Sequence, residues 1–228
     1  MKHKYFCIEG LSMGKTYSSV NFFINGPSGD IEAVTEKSDN INVQGVIIIC
    51  HPHPLFGGTM QNKVVHTISR ACLNKNLMVL RFNFRGVGSS EGTFDDGRGE
   101  VDDALCVIKY VQHHYPDLPV WLGGFSFGGG VAIQAAVINK PIALISIAPS
   151  LSNLNVLAIN EPGCPWLIVH GAQDELIQIK TVKQWLKPLK ISPTVVVLDK
   201  ATHFFHGCLI KLRMEIESFI ESKVKHPI

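Results

Sequence analysis

VWLGGFSFGGGVAIQAAVI, residues 120–138, changes character in the middle. Its first part is a short apolar run with the length and flanking glycines of a buried strand. Its last part is a run of helix-compatible residues, and between them lies GFSFG at 124–128. This order reads as strand, tight turn and helix, with Ser126 at the apex. Glycines two positions before and after the serine relieve crowding where a strand and a helix meet closely. Such a turn projects the Ser126 hydroxyl into the cleft above the sheet. Two other uses of a glycine-rich strand-to-helix turn are tight packing alone and phosphate binding. The chain has neither GxGxxG nor a GKS or GKT ending at this turn, which disfavours the second.

Outward from this unit, short apolar runs recur: GVIIIC at 45–50, LMVLRFNF at 77–84, ALISIA at 143–148, WLIVHG at 166–171 and TVVVLD at 194–199. They alternate with helical patterns at about 61–75, 100–114, 127–138, 179–189 and 208–223. Strands buried on both faces and separated by helices predict an α/β fold, with a mostly parallel central sheet and helices on both faces. An antiparallel start is expected from residues 4–9, 17–24 and 31–37, with GPSGD at 26–30 as the turn between the last two. No repeat or low-complexity linker divides the chain, so residues 1–228 are expected to form one domain. The connection 149–164 has room for a short helix but not for a separate cap domain.

Composition removes several classes of function. The 228 residues are 46% hydrophobic and 18% charged with a formal net charge of +2, which excludes an intrinsically disordered chain. Without a block of like charge there is no electrostatic reason to expect nucleic acid or an anionic membrane as partner. No apolar run approaches the length of about eighteen residues that a membrane helix needs. The start, MKHKYFCIEGLSMGK, lacks the continuous apolar stretch of a secretory signal, so a cytoplasmic location is expected. Six scattered cysteines without a CxxC pair are expected to be free thiols, and no zinc-ligand spacing is present.

A serine hydroxyl becomes a useful nucleophile when a histidine takes its proton and a carboxylate orients that histidine. Asp174 follows a strand in HGAQDELI, at the carboxyl end where the loops of such sheets carry function. Asp199, at the end of the next strand, is the second choice. His203 in DKATHFFHG lies in the loop before the last helix and is preferred to His206, expected to start that helix. Two backbone N–H groups are needed to hold a developing oxyanion. Phe127 supplies one, as the residue after the serine. The other is expected from HPHPLFGG at 51–58, where Pro52 and Pro54 have no N–H. Leu55 is preferred there to His53 and Phe56, because the chain must turn toward the cleft just after the strand. His51 and His53 are read as residues that shape this loop. Arg85 is expected in an ion pair with Glu100, Asp102 or Asp103 rather than on a substrate carboxylate.

Taken together, GFSFG, HGAQDELI, ATHFFHG, HPHPLFGG and FNFRGVGSSEG resemble the α/β-hydrolase superfamily over about residues 30–225. The paired HPHPxxGG and NFRGVGxSxG segments are similar to those of small, cap-poor bacterial serine hydrolases related to dienelactone hydrolases and carboxylesterases. The resemblance implies Ser126, Asp174 and His203 as a catalytic triad, and Leu55 with Phe127 as the oxyanion hole. It further implies hydrolysis of small-molecule esters or thioesters through an acyl-enzyme, a chemistry that requires no cofactor and no metal. A monomer or homodimer is expected. Short to medium acyl chains are expected, since a cleft without a lid buries little apolar surface. Dienelactone hydrolases carry a cysteine nucleophile and a glutamate just before the oxyanion residue, where this chain has Ser126 and Pro54, so that particular reaction is not expected. The two rival readings are a peptidase or amidase on the same triad and a non-catalytic binding module.

Overall fold

The computed structural model describes residues 16–39, 42–151, 161–190 and 192–224. The described residues begin with an antiparallel hairpin, β1 (Tyr17–Gly26) and β2 (Gly29–Ser38), turning through Pro27 and Ser28 as the glycine-rich sequence predicts. The alternation then begins: β3 (Val46–Cys50), α1 (Lys63–Asn74), β4 (Met78–Phe82), α2 (Arg98–His114), β5 (Val120–Phe125), α3 (Phe127–Asn139) and β6 (Ala143–Ile147). It ends with β7 (Trp166–Gly171), α4 (Ile179–Leu186), β8 (Thr194–Leu198) and α5 (Leu209–Val224). The eight strands form one sheet in the order β1-β2-β4-β3-β5-β6-β7-β8. Among the described residues only the β1–β2 and β2–β4 pairings are antiparallel. The expected α/β class and mostly parallel sheet are therefore observed.

Strand β3 shows why the sheet is covered on both sides. Its five residues are all fully buried, and their side chains alternate between two cores. Ile48 and Cys50 face α2 and α3, whereas Ile47 and Ile49 face α1 and α5. Val182 and Trp185 bring α4 to the first of these layers.

Element boundaries moved where hydrogen bonding decided them. Helix α2 starts two residues before the expected position because the Glu100 carboxylate accepts the N–H groups of Asp95 (3.0 Å) and Gly97 (2.8 Å), capping its first turn. Helix α4 stops at Leu186 rather than near 189, since Pro188 has no N–H with which to continue the ladder. The expected strand at 4–9 and the short helix in 149–164 fall largely or wholly outside the described residues.

The strand order carries the functional consequence. Chain progression reverses between β3, which leads to β4 on one side, and β5, which leads to β6 on the other. In an open parallel sheet this switch point opens a crevice beyond the carboxyl ends of the strands. The loop after β3 and the turn after β5 thus become neighbours. The loops after β7 and β8 start two and three strands away, about 10–15 Å at normal strand spacing, and must lean back to meet them.

Candidate active site

Ser126 sits on the β5–α3 turn with φ 55° and ψ −119°, a conformation that non-glycine residues rarely adopt. The surrounding structure holds it there. Its N–H donates to the Ile147 carbonyl (2.9 Å), and its own carbonyl accepts from Gly130 (3.2 Å) and Ser150 (2.8 Å). A side chain at Gly124 would overlap the Gly128 carbonyl, and one at Gly128 would overlap the Cys50 and His51 carbonyls. The two glycines of GFSFG are therefore required by the backbone that approaches them.

His203 reaches back from the loop after β8, and its Nε2 lies 3.0 Å from Ser126 Oγ, across 77 sequence positions. On the other side of the ring, Nδ1 is 2.8 Å from Asp174 Oδ2. An ionised carboxylate only accepts, so this contact puts the proton on Nδ1 and leaves the Nε2 lone pair for the serine hydroxyl. The second Asp174 oxygen, Oδ1, accepts the N–H groups of Leu176 (2.9 Å) and Ile177 (2.7 Å). Burial alone would raise the pKa of Asp174. The His203 hydrogen bond, the Ile177 N–H and the neighbouring His203 and His170 outweigh it and hold the carboxyl below its ordinary value. Asp199 and His206, the second choices for acid and base, both lie exposed. His206 precedes α5 by a turn instead of starting it.

The loop after β3 corrects one expectation. The Leu55 N–H is directed at His53 Nδ1 (3.2 Å), and Leu55 itself is 67% exposed. The Phe56 N–H is used as well, donating to the His53 carbonyl (3.1 Å). Of the three residues considered in HPHPLFGG, only His53 has an N–H that donates to nothing among the described residues. Here the chain folds into a short 3-10 turn at Pro54–Phe56, capped by the His53 side chain, and this cap engages the Leu55 amide. Phe127 begins α3, so its N–H has no preceding turn to bond to and remains available.

The remaining candidates have structural partners. His51 is fully buried: its Nε2 accepts the Phe84 N–H (3.0 Å), so Nδ1 bears the proton and donates to the Pro52 carbonyl (2.6 Å). Burial pushes its pKa down to about 4 even with that hydrogen bond. The His53 ring packs against Phe56, Phe94 and Phe127 at 4.7–5.0 Å between centroids. Arg85 pairs with Asp103 through Nη2 (2.7 Å) and Nε (3.1 Å), and its N–H also reaches Asp103. Of the other suggested partners, Glu100 caps α2 and Asp102 is exposed. Among the described residues no group of three or more His, Cys, Asp or Glu side chains is arranged to hold a metal ion, and no helix is long and apolar enough to cross a membrane. The five cysteines described are free.

One residue at the site was not anticipated. His170, the fully buried penultimate residue of β7, lies with Nε2 3.3 Å from Asp174 Oδ2 and 2.7 Å from the Ile177 carbonyl. The available signal was a histidine four positions before the acid, in WLIVHGAQD, which the apolar strand pattern around it obscured.

The cleft is framed by apolar groups. Leu55, Phe56, Leu176 and Phe204 are exposed on the loops that carry these residues. A groove of about 460 Å³ runs between Pro54 and Leu55 on one side and Val87, Thr93 and Phe94 on the other.

Known proteins similar to this chain share its fold. A family model described as serine aminopeptidase, S33, matches residues 41–160. An uncharacterized protein of Rickettsia prowazekii (strain Madrid E) is 33% identical over 193 residues, covering 80% of this chain and 81% of that protein. An α/β serine hydrolase homologue from Coxiella burnetii superposes with a TM-score of 0.84 at 42% identity, covering 87% of this chain and 95% of that one. A structure from Xanthomonas campestris, described as an α/β serine hydrolase without lid, superposes with a TM-score of 0.85 at 37% identity over 90% and 94% of the two chains.

Proposed function

Because this chain belongs to the α/β-hydrolase superfamily, we propose that it is a serine hydrolase acting on small carboxylic esters or thioesters through a Ser126–His203–Asp174 triad. The reading rests on one observation above the others: an unbroken line of hydrogen bonds from Ser126 Oγ through the His203 ring to a buried, ionised Asp174. In acylation, His203 Nε2 takes the Ser126 proton as Oγ attacks the carbonyl carbon, and the Phe127 and His53 N–H groups receive the charge on the carbonyl oxygen. The imidazolium then returns its proton to the leaving alcohol or thiol. In deacylation, the same nitrogen activates a water that cleaves the acyl-Ser126 ester. Asp174 stabilises the imidazolium and keeps Nδ1 protonated.

The apolar rim of Leu55, Phe56, Leu176 and Phe204 favours substrates with an apolar acyl or alcohol group. Since the matching family model is described as that of a serine aminopeptidase, amide cleavage is the second reading.

Intact-mass analysis after fluorophosphonate treatment tests the proposal. One adduct is expected on the wild-type protein and none on Ser126→Ala; a folded wild-type protein that takes no adduct rejects it. Matched aryl esters and anilides then separate the two readings, with ester turnover expected to dominate.

A further inference from the structure

We infer that His170 is a positioning residue for Asp174: it clamps the turn after β7 so that one carboxylate oxygen is pinned and the other is left facing His203. The inference rests on the triad reading above and adds a fourth side chain to it.

The tautomer follows from the partners. His170 Nε2 faces two acceptors, the Ile177 carbonyl at 2.7 Å and Asp174 Oδ2 at 3.3 Å, so this nitrogen bears a proton. Nδ1 is buried with no hydrogen-bond partner among the described residues. A second proton there would be a buried, unpaired donor on a cation, so the ring is held neutral. Its pKa is correspondingly lowered, first by burial and also by His203, against the opposing effects of the Ile177 carbonyl and Asp174. Asp174 and His203 are the titratable groups that act on it.

The clamp closes a short ring of contacts. His170 Nε2–H holds the Ile177 carbonyl, and the Ile177 N–H holds Asp174 Oδ1 together with the Leu176 N–H. With Oδ1 saturated by two backbone donors, Oδ2 is directed at His203 Nδ1. The opposite side of the loop is laced to the segment carrying His203, through Ala172 N–H to the Leu198 carbonyl and Gln173 N–H to the Ala201 carbonyl, both 3.0 Å. His170 adds to those backbone bonds a side-chain tie, to the Ile177 carbonyl. The edge of its ring also adds partial positive charge 3.3 Å from Oδ2, which favours the ionised carboxylate.

The test compares His170→Leu, which removes the donor, His170→Asn, whose amide is too short to reach the Ile177 carbonyl, and His170→Gln, whose longer amide reaches it without titrating. All are made in the full-length chain and assayed on a short aryl ester, with folding checked by circular dichroism. For Leu and Asn, kcat is expected to fall by about 10- to 100-fold with KM within twofold, the loss a small displacement of a catalytic group produces. The downfield proton resonance of His203 Nδ1–H is expected to shift or broaden in both. His170→Gln is expected to keep kcat within about threefold of wild type, and the acid limb of its kcat/KM profile, like that of wild type, to fit a single ionisation. Wild-type kcat and an unchanged resonance in whichever of the Leu and Asn variants folds would overturn the inference. So would a Gln variant as slow as Asn, or a wild-type acid limb needing two protons that becomes one in Gln. If the wild-type protein takes no fluorophosphonate adduct, the triad reading itself fails and the inference falls with it; normal labelling of wild type and of the Leu or Asn variant at equal rates removes the inference alone.

Discussion

The α-carbon of Gly128 lies directly against the Cys50 carbonyl, so closely that a β-carbon would overlap both this oxygen and that of His51. This contact joins the first turn of α3 to the end of β3. The obstructing atoms are backbone, which cannot swing aside as a flexible side chain would. Gly128→Ala should therefore cost about 3 kcal/mol of stability. Its thermal midpoint should fall by roughly 10 °C for a chain of this size, as scanning calorimetry would register. A variant as stable as wild type would show that β3 and α3 are not rigidly coupled.

Asp174→Asn should preserve the fold and lower kcat by about 10³- to 10⁴-fold. Leu176 and Ile177 both present donors to one oxygen of residue 174, so the asparagine must keep its carbonyl there and turn its NH₂ toward His203. That forces the proton from Nδ1 to Nε2, where it blocks acceptance of the serine proton. Steady-state kinetics alongside circular dichroism checks both halves, and near-normal kcat would argue against Asp174 as the orienting acid.

His53→Pro and His53→Ala separate the amide of residue 53 from its ring. His53 has φ −53°, within the range of proline, so the substitution deletes the N–H with little demand on the local chain. His53→Pro should lose about 10²- to 10³-fold in kcat, as expected for one oxyanion donor, and His53→Ala no more than about tenfold. If the proline variant turns over normally, the second donor lies elsewhere.

Acid sensitivity should be traceable to His51. Its pKa is pushed down to about 4 in the fold and returns to about 6.5 on unfolding, so between these values the unfolded chain binds the extra proton. Stability is then full above pH 6.5 and declines as pH falls toward 4, by a total on the order of 3 kcal/mol from this group. His51→Gln has no proton to take up. Urea unfolding at pH 7, 5.5 and 4.5 should give it the shallower pH dependence, even where its absolute stability is lower, and parallel curves would contradict this assignment.

Arg85→Met should destabilise the protein by about 3–5 kcal/mol, because it leaves the Asp103 carboxylate buried without its partner. Replacing both residues, Arg85→Met with Asp103→Leu, should recover a good part of the loss in chemical denaturation. A single variant with normal stability but a specific loss of affinity for anionic esters would instead make Arg85 a substrate-binding residue.

Much of the site was legible in the chain because strand-end chemistry is local. A serine between two glycines after an apolar run declares a tight strand-to-helix turn, and Asp174 and His203 each follow a strand whose carboxyl end faces the cleft. Local reading failed where a side chain or loop took an unforeseen partner. Leu55 lost its amide to His53, a choice made by the curl of a 3-10 turn three residues long. His170 went unnoticed because a histidine within WLIVHG gives no sign of which neighbour its ring will meet.

Hydrophobic period and glycine placement, by themselves, determined the α/β class, the alternation of strands and helices and the residues eligible for chemistry, since each depends on interactions among neighbours in the chain. Tertiary structure alone decided which of those residues meet. The order β4-β3-β5-β6-β7-β8 sets loops from four different strands around one crevice. Whether Ser126 and His203, 77 positions apart, stand at 3.0 Å or out of reach depends on strand order, sheet twist and loop hydrogen bonds, none of which is encoded in any single stretch of sequence.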